Sequence, residues 1–496
     1  MTIRLAVDGR GRLRHAVLQE LVRQSEGRIE VALHFGDRDA TFHGPSLQRM
    51  EVRRGTNGHL MQRHLAHGAN IPLLASTDFH KMVEQGIDQL HRDGPTYRYR
   101  GHNLVNLQDY LDYYHILADA MAQQIEGSGA THALFMNMPH LSYDVVFYHV
   151  ARALGLKTLV MCQTIFPDQY FTMPRMEDMG AFTPLGDPAA PLPIEPGSRQ
   201  NLIYMDERWQ KPSARGRIGP RAVWNLLRHL ALRDPARLLQ PGYLFGNLRR
   251  IAAIYGQMPD WKDPFARFFH VNEMAYFEHM AEYELPRADL STPYIYVPLH
   301  NQPEMSTSAL GGDFRDQLLM VEALAADLPE GWRILVKENP RQGGFARGPM
   351  WFHRLTRLRG VALVPSDTSS ADLLAGAQFT ATVSGTAGYE SLRGGRVALY
   401  FGRPWWRSFP GAIPWKPGLD FHALAATRLD HAALEAAAGQ VVARAHDGVI
   451  ETIYSEATPG FDAAANACNV AGDLMALLEG TAPPTFGDPR ALGWAP

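Results

Sequence analysis

"TVSGTAGYESLRGGRVALYFG", from Thr382 to Gly402, is the stretch on which the fold turns. An apolar run from Phe379 to Val383 leads into the small residues Ser384, Gly385, Thr386 and Gly388. A helical stretch follows through Ser391 and Leu392, and then a second apolar run from Val397 to Phe401. That order predicts strand, turn, helix, strand. A helix beginning near Gly385 leaves its first amides unpaired and turns the positive end of its dipole outward, which suits a phosphate. Gly385 and Gly388 would let a ligand approach the backbone, and Ser384 or Thr386 would cap the helix or donate to the ligand. Glu390, about one and a half turns in, would reach ribose hydroxyls. An ordinary capped helix whose glycines serve tight packing would read the same way.

Upstream the same alternation recurs: "YIYVPLH" from Tyr294, a helix near Gln317 to Leu328, "WRILVKENP", a helix near Met350 to Leu358, "VALVP", and a helix near Ser370 to Ala375. Three strand ends carry unusual residues: "HNQPEMSTSALGGDFRDQ" from His300, "KENPRQGG" from Lys337 and "SGTAGYE" from Ser384. In a parallel sheet all three open on one edge, where ligands gather. Lys337 would neutralise a departing phosphate or simply be solvated. Asn339 before Pro340 is also an ordinary turn pair. "TSALGGD" has the glycines and hydroxyls of an oxyanion loop.

The N-terminal half opens as a βαβ unit, with "IRLAVDG" (Ile3 to Gly9) and "IEVALHFG" (Ile29 to Gly36) flanking the helical "LRHAVLQELVRQ". A helix from Leu107 to Gln124, the strand and loop of "THALFMNMPH", the helix of "YDVVFYHVARALG" and the strand of "LKTLVMCQT" follow. In "NMPHLSYD", His140 and Asp144 stand four residues apart at a strand-to-helix junction, so either could take a proton from an acceptor hydroxyl. The plain alternative has Asp144 capping or beginning the helix and His140 as a structural loop residue. "GDRDA" (Gly36 to Ala40) contains a literal Asp-x-Asp, but Arg38 inside it favours a solvated loop over a divalent-cation site. "DGRGRLRH" lacks the third glycine of a dinucleotide fingerprint, which argues against an NAD enzyme. From Pro167 to Leu290 the rhythm breaks, and no regular sheet is expected there. The tail from Asp430 to Leu478 is alanine-rich and helical.

With 496 residues, the chain is long enough for two large domains, and its net charge of -3 gives no global case for nucleic-acid binding. Cys162 and Cys468 lie far apart without metal-ligand spacing, so no zinc site or disulfide scaffold is indicated. No apolar stretch has the length of a signal core or a membrane span, so a cytoplasmic protein is expected, resting peripherally on the inner membrane. A local basic segment supports that peripheral contact: residues 208–250 hold ten Lys or Arg against one acid, Asp234. If "RAVWNLLRHLAL" is helical, Val223, Leu226, Leu227 and Leu230 share a face opposite Arg221 and Arg228, a pattern that could attract anionic lipid or an acidic glycan. A helix packed on its domain with solvated arginines fits equally. Two Rossmann-like halves in one chain form a cleft between them, an architecture that serves several nucleotide-sugar enzymes.

Together, "VPLHNQPEMSTSALGGDFRDQLLM", "LVKENP", "TVSGTAGYESLRGGRVALYFGRPWW" and "NMPHLSYDVVFYHVARALGLKTLVMCQTIFP" resemble the bacterial capsule polysaccharide biosynthesis family, which includes Kdo transferases of GT-B architecture. The resemblance covers roughly residues 131–166 and 294–411. It implies an α/β, GT-B-like fold: an acceptor domain over 1–290 that includes a helical basic insertion at 167–290, a donor domain over 291–480, and a tail over 481–496. It also implies an inverting glycosyltransferase that needs no metal or other cofactor, takes a nucleotide-activated sugar, often CMP-linked, and serves a glycan or glycolipid acceptor. On that pattern Ser384, Gly385 and Thr386 meet the donor phosphate, Glu390 the ribose, and Gln302, Ser308 and Gly311 the donor side of the cleft. Lys337 and Asn339 would hold the leaving phosphate. The family commonly has His-Pro where this chain has Asn339-Pro340; asparagine can donate a hydrogen bond but cannot carry a proton. Two other readings stay open, a nucleotide-sugar epimerase of the same architecture and a non-catalytic glycan-binding subunit of an export assembly.

Overall fold

The computed structural model describes residues 2–36, 46–48, 65–93, 98–99, 102–166, 168–182, 189–195, 287–339, 342, 346–365 and 368–488. Between 228 and 285 it describes 228, 231–232, 235–242, 245, 276, 279–280 and 282–285. Most of the basic segment 208–250, including the proposed Arg221 to Leu230 face, and the Asp-x-Asp loop after Gly36 lie outside the described residues.

In the N-terminal half, β1 (Ile3–Asp8), α1 (Arg12–Gln24), β2 (Ile29–Gly36) and β3 (Ser46–Gln48) form the expected βαβ opening. A two-stranded ribbon, β4 (Arg98–Tyr99) with β5 (His102–Asn103), follows α2 (Thr77–Asp93). Then come α3 (Leu107–Ser128), β6 (His132–Phe135), α4 (Ser142–Ala153), β7 (Lys157–Gln163) and β8 (Gln169–Met173). Helix α4 is buried along Ser142 to Ala151 because α2 and α3 cover it on either side, so its sequence is apolar nearly all round. Strand β8 runs antiparallel to β7. It is a regular strand inside the stretch where the sequence offered none, since a lone antiparallel edge strand breaks the βα rhythm that made the others legible.

The C-terminal half is more regular. It runs β9 (Tyr294–Pro298), α5 (Gln317–Ala326), β10 (Arg333–Lys337), α6 (Pro349–Thr356), β11 (Val361–Val364), α7 (Ser370–Gly376), β12 (Phe379–Thr382), α8 (Thr386–Arg393), β13 (Ala398–Tyr400) and β14 (Ala412–Pro414). All its strand pairs are parallel, in the order β11-β10-β9-β12-β13-β14. That is a doubly wound Rossmann-like sheet, and its order reverses between β9 and β12. Buried strands such as Tyr294 to Val297 and Phe379 to Thr382 are covered on both faces, which explains their continuous apolar character.

After α9 (His431–Arg444) the chain turns back to the first sheet. Strand β15 (His446–Asp447) pairs antiparallel with β8, and α10 (Ala463–Leu478) packs on α1. Thr485 then bonds Thr172 of β8 in both directions, N–H to hydroxyl at 3.2 Å and back at 3.1 Å. The sequence placed 291–480 in one C-terminal domain, yet 446–486 packs on the first sheet: Val470, Leu474 and Leu477 are fully buried in one cluster with Leu5, Val7 and Leu18. The first sheet thus reads β15-β8-β7-β6-β1-β2-β3, and its order reverses between β1 and β6. The fold is α/β, with two Rossmann-like sheets.

Candidate functional site at two switch points

Each sheet has a switch point where adjacent loops leave in opposite directions and open a crevice at the carboxyl edge. At the first, Asp8 ends β1 with 4% of its surface exposed and accepts a 3.0 Å hydrogen bond from the Tyr143 hydroxyl. The Arg10 guanidinium lies 5.6 Å from the centre of the Tyr143 ring. Asp144, 3% exposed, accepts a 2.7 Å bond from the Leu141 amide and a further bond from the amide of His140. Burial, and then the charge of Asp8, push the Asp144 carboxyl well above the usual carboxylate range, against the pull of Arg10 and these amides. His140 is half-buried and its Nδ1 lies 2.7 Å from the Met138 carbonyl. A carbonyl only accepts, so Nδ1 carries a proton, and whenever the ring is neutral the lone pair lies on Nε2. Asp144 does cap its helix, as the plain alternative had it, and by gripping the amides of 140 and 141 it also fixes the loop that holds His140.

At the second switch point, α8 begins at Thr386 on Gly385 with no side chain capping it. Its opening amides therefore have no side-chain cap, the arrangement in which a helix start can bind an anion. The glycines here are packing residues. A Cβ on Gly385 would stand 2.8 Å from the His300 ring, and one on Gly388 would stand 2.1 Å from Trp406. A Cβ on Gly311 would likewise stand 2.3 Å from the Thr307 carbonyl. Ser384 donates to the Ser306 carbonyl at 2.6 Å, so it ties two loops together and caps nothing. Ser308, 2% exposed, has a hydroxyl with no hydrogen-bond partner among the described residues. Glu390 is half-buried one turn into α8.

Three sequence candidates prove to be tied into the scaffold. Lys337 is 9% exposed and donates to the Ser370 hydroxyl at 2.8 Å, so it is not the solvated lysine of the plain alternative. The Asn339 amide donates to Glu338 at 2.6 Å, and Glu338 forms a buried ion pair with Arg347 at 2.7 Å. Gln302 exchanges bonds of 2.8 and 2.9 Å with Gln342 and accepts from Gln317 at 3.0 Å, while its own amide reaches Asp88 of α2 at 3.4 Å.

That last contact belongs to a seam between the halves. Arg315 pairs with Asp88, and with Glu84 at 3.3 Å; Cys162 at the end of β7 lies 3.9 Å from the Met305 sulfur in the loop after β9. Gly86 lets α2 lie against Ser142 at the start of α4, since a Cβ there would come within 3.1 Å of the Ser142 Cα. Helix α2 thus stands between the His140 loop and the Gln302 loop. Sequence reading missed Asp8, Tyr143, His300, Thr382, Asp88 and Arg315. For Asp8 a signal existed: a carboxylate closing a buried apolar strand. For Asp88 and Arg315, more than 200 residues apart, there was none.

Among the described residues, no group of three or more His, Cys, Asp or Glu could hold a metal ion, and no helix is long and apolar enough to cross a membrane. No family model matches the sequence, and no curated protein does. Similar solved structures include two β-Kdo transferases, both KpsC of Thermosulfurimonas dismutans. The 2,7 transferase is 11% identical over 74% of this chain and 90% of that one, with a TM-score of 0.31. The 2,4 transferase is 16% identical over 70% and 88%, with a TM-score of 0.29. A UDP-GlcNAc 2-epimerase of Methanocaldococcus jannaschii is 10% identical over 89% and 99%, with a TM-score of 0.23.

Proposed function

We propose that this chain is a GT-B glycosyltransferase that moves a sugar from a nucleotide-activated donor, CMP-linked, to a bacterial surface glycan with inversion and without a metal. One observation carries the reading: α2 packs both on α4, which follows the His140 loop, and on the turn at 305–309, whose Ser306 carbonyl holds Ser384 just ahead of the uncapped start of α8. The donor phosphate sits on the opening amides of α8, where the dipole offsets charge as the bond to the sugar breaks. Ser308 donates to the donor, Glu390 takes the ribose hydroxyls, and Lys337 and Asn339 support the leaving phosphate from behind. His140 Nε2 receives the proton of the acceptor hydroxyl, and Asp144 holds the loop that presents it.

The experiment is incubation with CMP-, UDP- and GDP-sugars, with and without a glycan acceptor, with and without chelator. Acceptor-dependent release of CMP that survives chelator supports the reading. A free epimerised sugar formed without acceptor replaces it with the epimerase, and glycan binding without turnover of any donor replaces it with a binding subunit.

The basic segment is assigned to an anionic membrane surface. Leu232, Leu239 and Phe245 are 74%, 84% and 73% exposed within the same stretch as the ten basic residues, the combination that anchors a protein at a lipid interface.

A further inference from the structure

His300 and its neighbours form one unbroken hydrogen-bonded chain beneath the anion seat. Its imidazole Nδ1 lies 3.0 Å from the Ser306 hydroxyl, and Ser306 lies 3.0 Å from a Glu304 carboxylate oxygen. On the other side Nε2 lies 2.8 Å from the Thr382 hydroxyl, which accepts from the Gly385 amide at 3.2 Å. The direction of every bond follows from the two ends. Ionised Glu304 only accepts, so Ser306 must donate to it, and Ser306 then accepts from Nδ1–H. Nε2 is left with its lone pair, so the Thr382 hydroxyl donates to it and keeps a lone pair for Gly385 N–H. Of the neutral tautomers only Nδ1–H satisfies all four bonds, since a ring protonated on Nε2 would need the Ser306 proton at Nδ1 and leave Glu304 without it; burial, which pushes His300 down to about 4, disfavours the charged ring. His300 is also held from behind, since its carbonyl accepts from Arg347 at 2.9 Å and from Gln317 at 3.1 Å.

We infer that His300 is the positioning residue of the anion seat: through the Thr382 hydroxyl it holds the Gly385 amide inward, so that an oxyanion meets the amides of Thr386 and Ala387 instead. This deepens the proposed donor site and rests on it. The chain links the carboxylate of Glu304 to the peptide on which α8 begins. An anion arriving at the next amides polarises the chain, because hydrogen bonds in series strengthen one another at low dielectric. The ligand class is a nucleotide phosphate or a free phosphate, which share this oxyanion chemistry.

The test uses the full chain and four probes, CMP, UDP, GDP and inorganic phosphate, with ring nitrogen NMR of the histidines as second readout. Thr382→Val deletes the hydroxyl at nearly constant volume, and His300→Phe removes both ring nitrogens. In the wild-type protein the His300 ring is expected as the neutral Nδ1–H tautomer at neutral pH, with its Nε2 resonance moving when CMP is added. Thr382→Val is expected to weaken CMP about 5- to 10-fold, in line with the loss of one net hydrogen bond, and to abolish that resonance shift. His300→Phe should weaken CMP comparably, and the double variant should be no weaker than the poorer single one, as two links of a single chain require. An Nε2–H or charged ring, CMP affinity untouched by Thr382→Val, or additive losses overturns the inference alone. Wild-type protein that binds inorganic phosphate but no nucleotide keeps the seat and overturns the nucleotide donor; one that binds no probe overturns both.

Discussion

Gly388 packs directly against Trp406: a Cβ on the glycine would lie 2.1 Å from the indole, whose ring is fully buried. The indole N–H in turn donates to the Gly385 carbonyl at 3.2 Å, so this one side chain props the start of α8. Gly388→Ala should therefore destabilise the protein by about 1–3 kcal/mol, the usual cost of overpacking, as read by urea unfolding. Unchanged stability would mean that Trp406 moves aside freely and does not support the seat.

His140→Ala is expected to lower turnover by about 10²–10⁴-fold and to leave donor affinity nearly unchanged, the signature of a general base. Asp144→Asn should cost less, since the asparagine oxygen still accepts from the Leu141 amide. Single-turnover kinetics with donor titration separates these effects; the reverse ranking moves the base to Asp144.

Acid stability should fall in a defined window. His132, His149 and His300 are each pushed down to about 4, chiefly by burial. A depressed pKa means that the unfolded chain takes up the proton first. The contribution of each histidine is therefore complete above about pH 6.5 and is lost as pH falls toward about 4, by about 1.4 kcal/mol per unit. Asp144, raised in the folded state, acts in the opposite direction and offsets part of the loss. Urea unfolding is expected to show lower stability near pH 5 than near pH 7.5, and His149→Gln should flatten that slope. A slope unaffected by the substitution would show that His149 is charged in the folded protein.

Glu390→Gln should weaken nucleotide binding by about 1–3 kcal/mol if charge-assisted bonds hold the ribose, while inorganic phosphate affinity stays unchanged. Equal loss for both ligands would place Glu390 in the support of α8 rather than on the ribose.

Vesicles rich in phosphatidylglycerol are expected to capture the protein at low salt and to release it at high salt, because exposed charges are screened beyond about 8 Å at physiological ionic strength. Phe245→Ser with Leu239→Ser should weaken capture without altering turnover on soluble donor and acceptor. Capture by neutral vesicles at all salt concentrations would remove the electrostatic part.

Much of this molecule was legible in the chain. The strand of Phe379 to Thr382, the helix from Thr386 and the strands "IRLAVD" and "RILVK" lie within a residue or two of where periodicity puts them, because strands covered on both faces must be apolar throughout. Candidate loops were legible for a related reason: in a parallel sheet all carboxyl ends share one edge, so "SGTAGYE" and the "HNQPEM" stretch had to converge. Strand β8 and the return of 446–486 to the first sheet were not legible, since a five-residue antiparallel strand and a two-residue one carry no period of their own.

The sequence by itself determined the alternation, hence two Rossmann-like sheets and the edge on which chemistry would gather. Local propensity and burial act over a few residues, and those are written in order along the chain. Only the tertiary structure decided the partners: that Asp8 charges the surroundings of Asp144, that His300 stands under Gly385, and that Arg315 reaches across to Asp88. Those relations depend on distances between residues far apart in sequence, and strand order, which brings β1 beside β6 and β9 beside β12, is set by how whole layers pack.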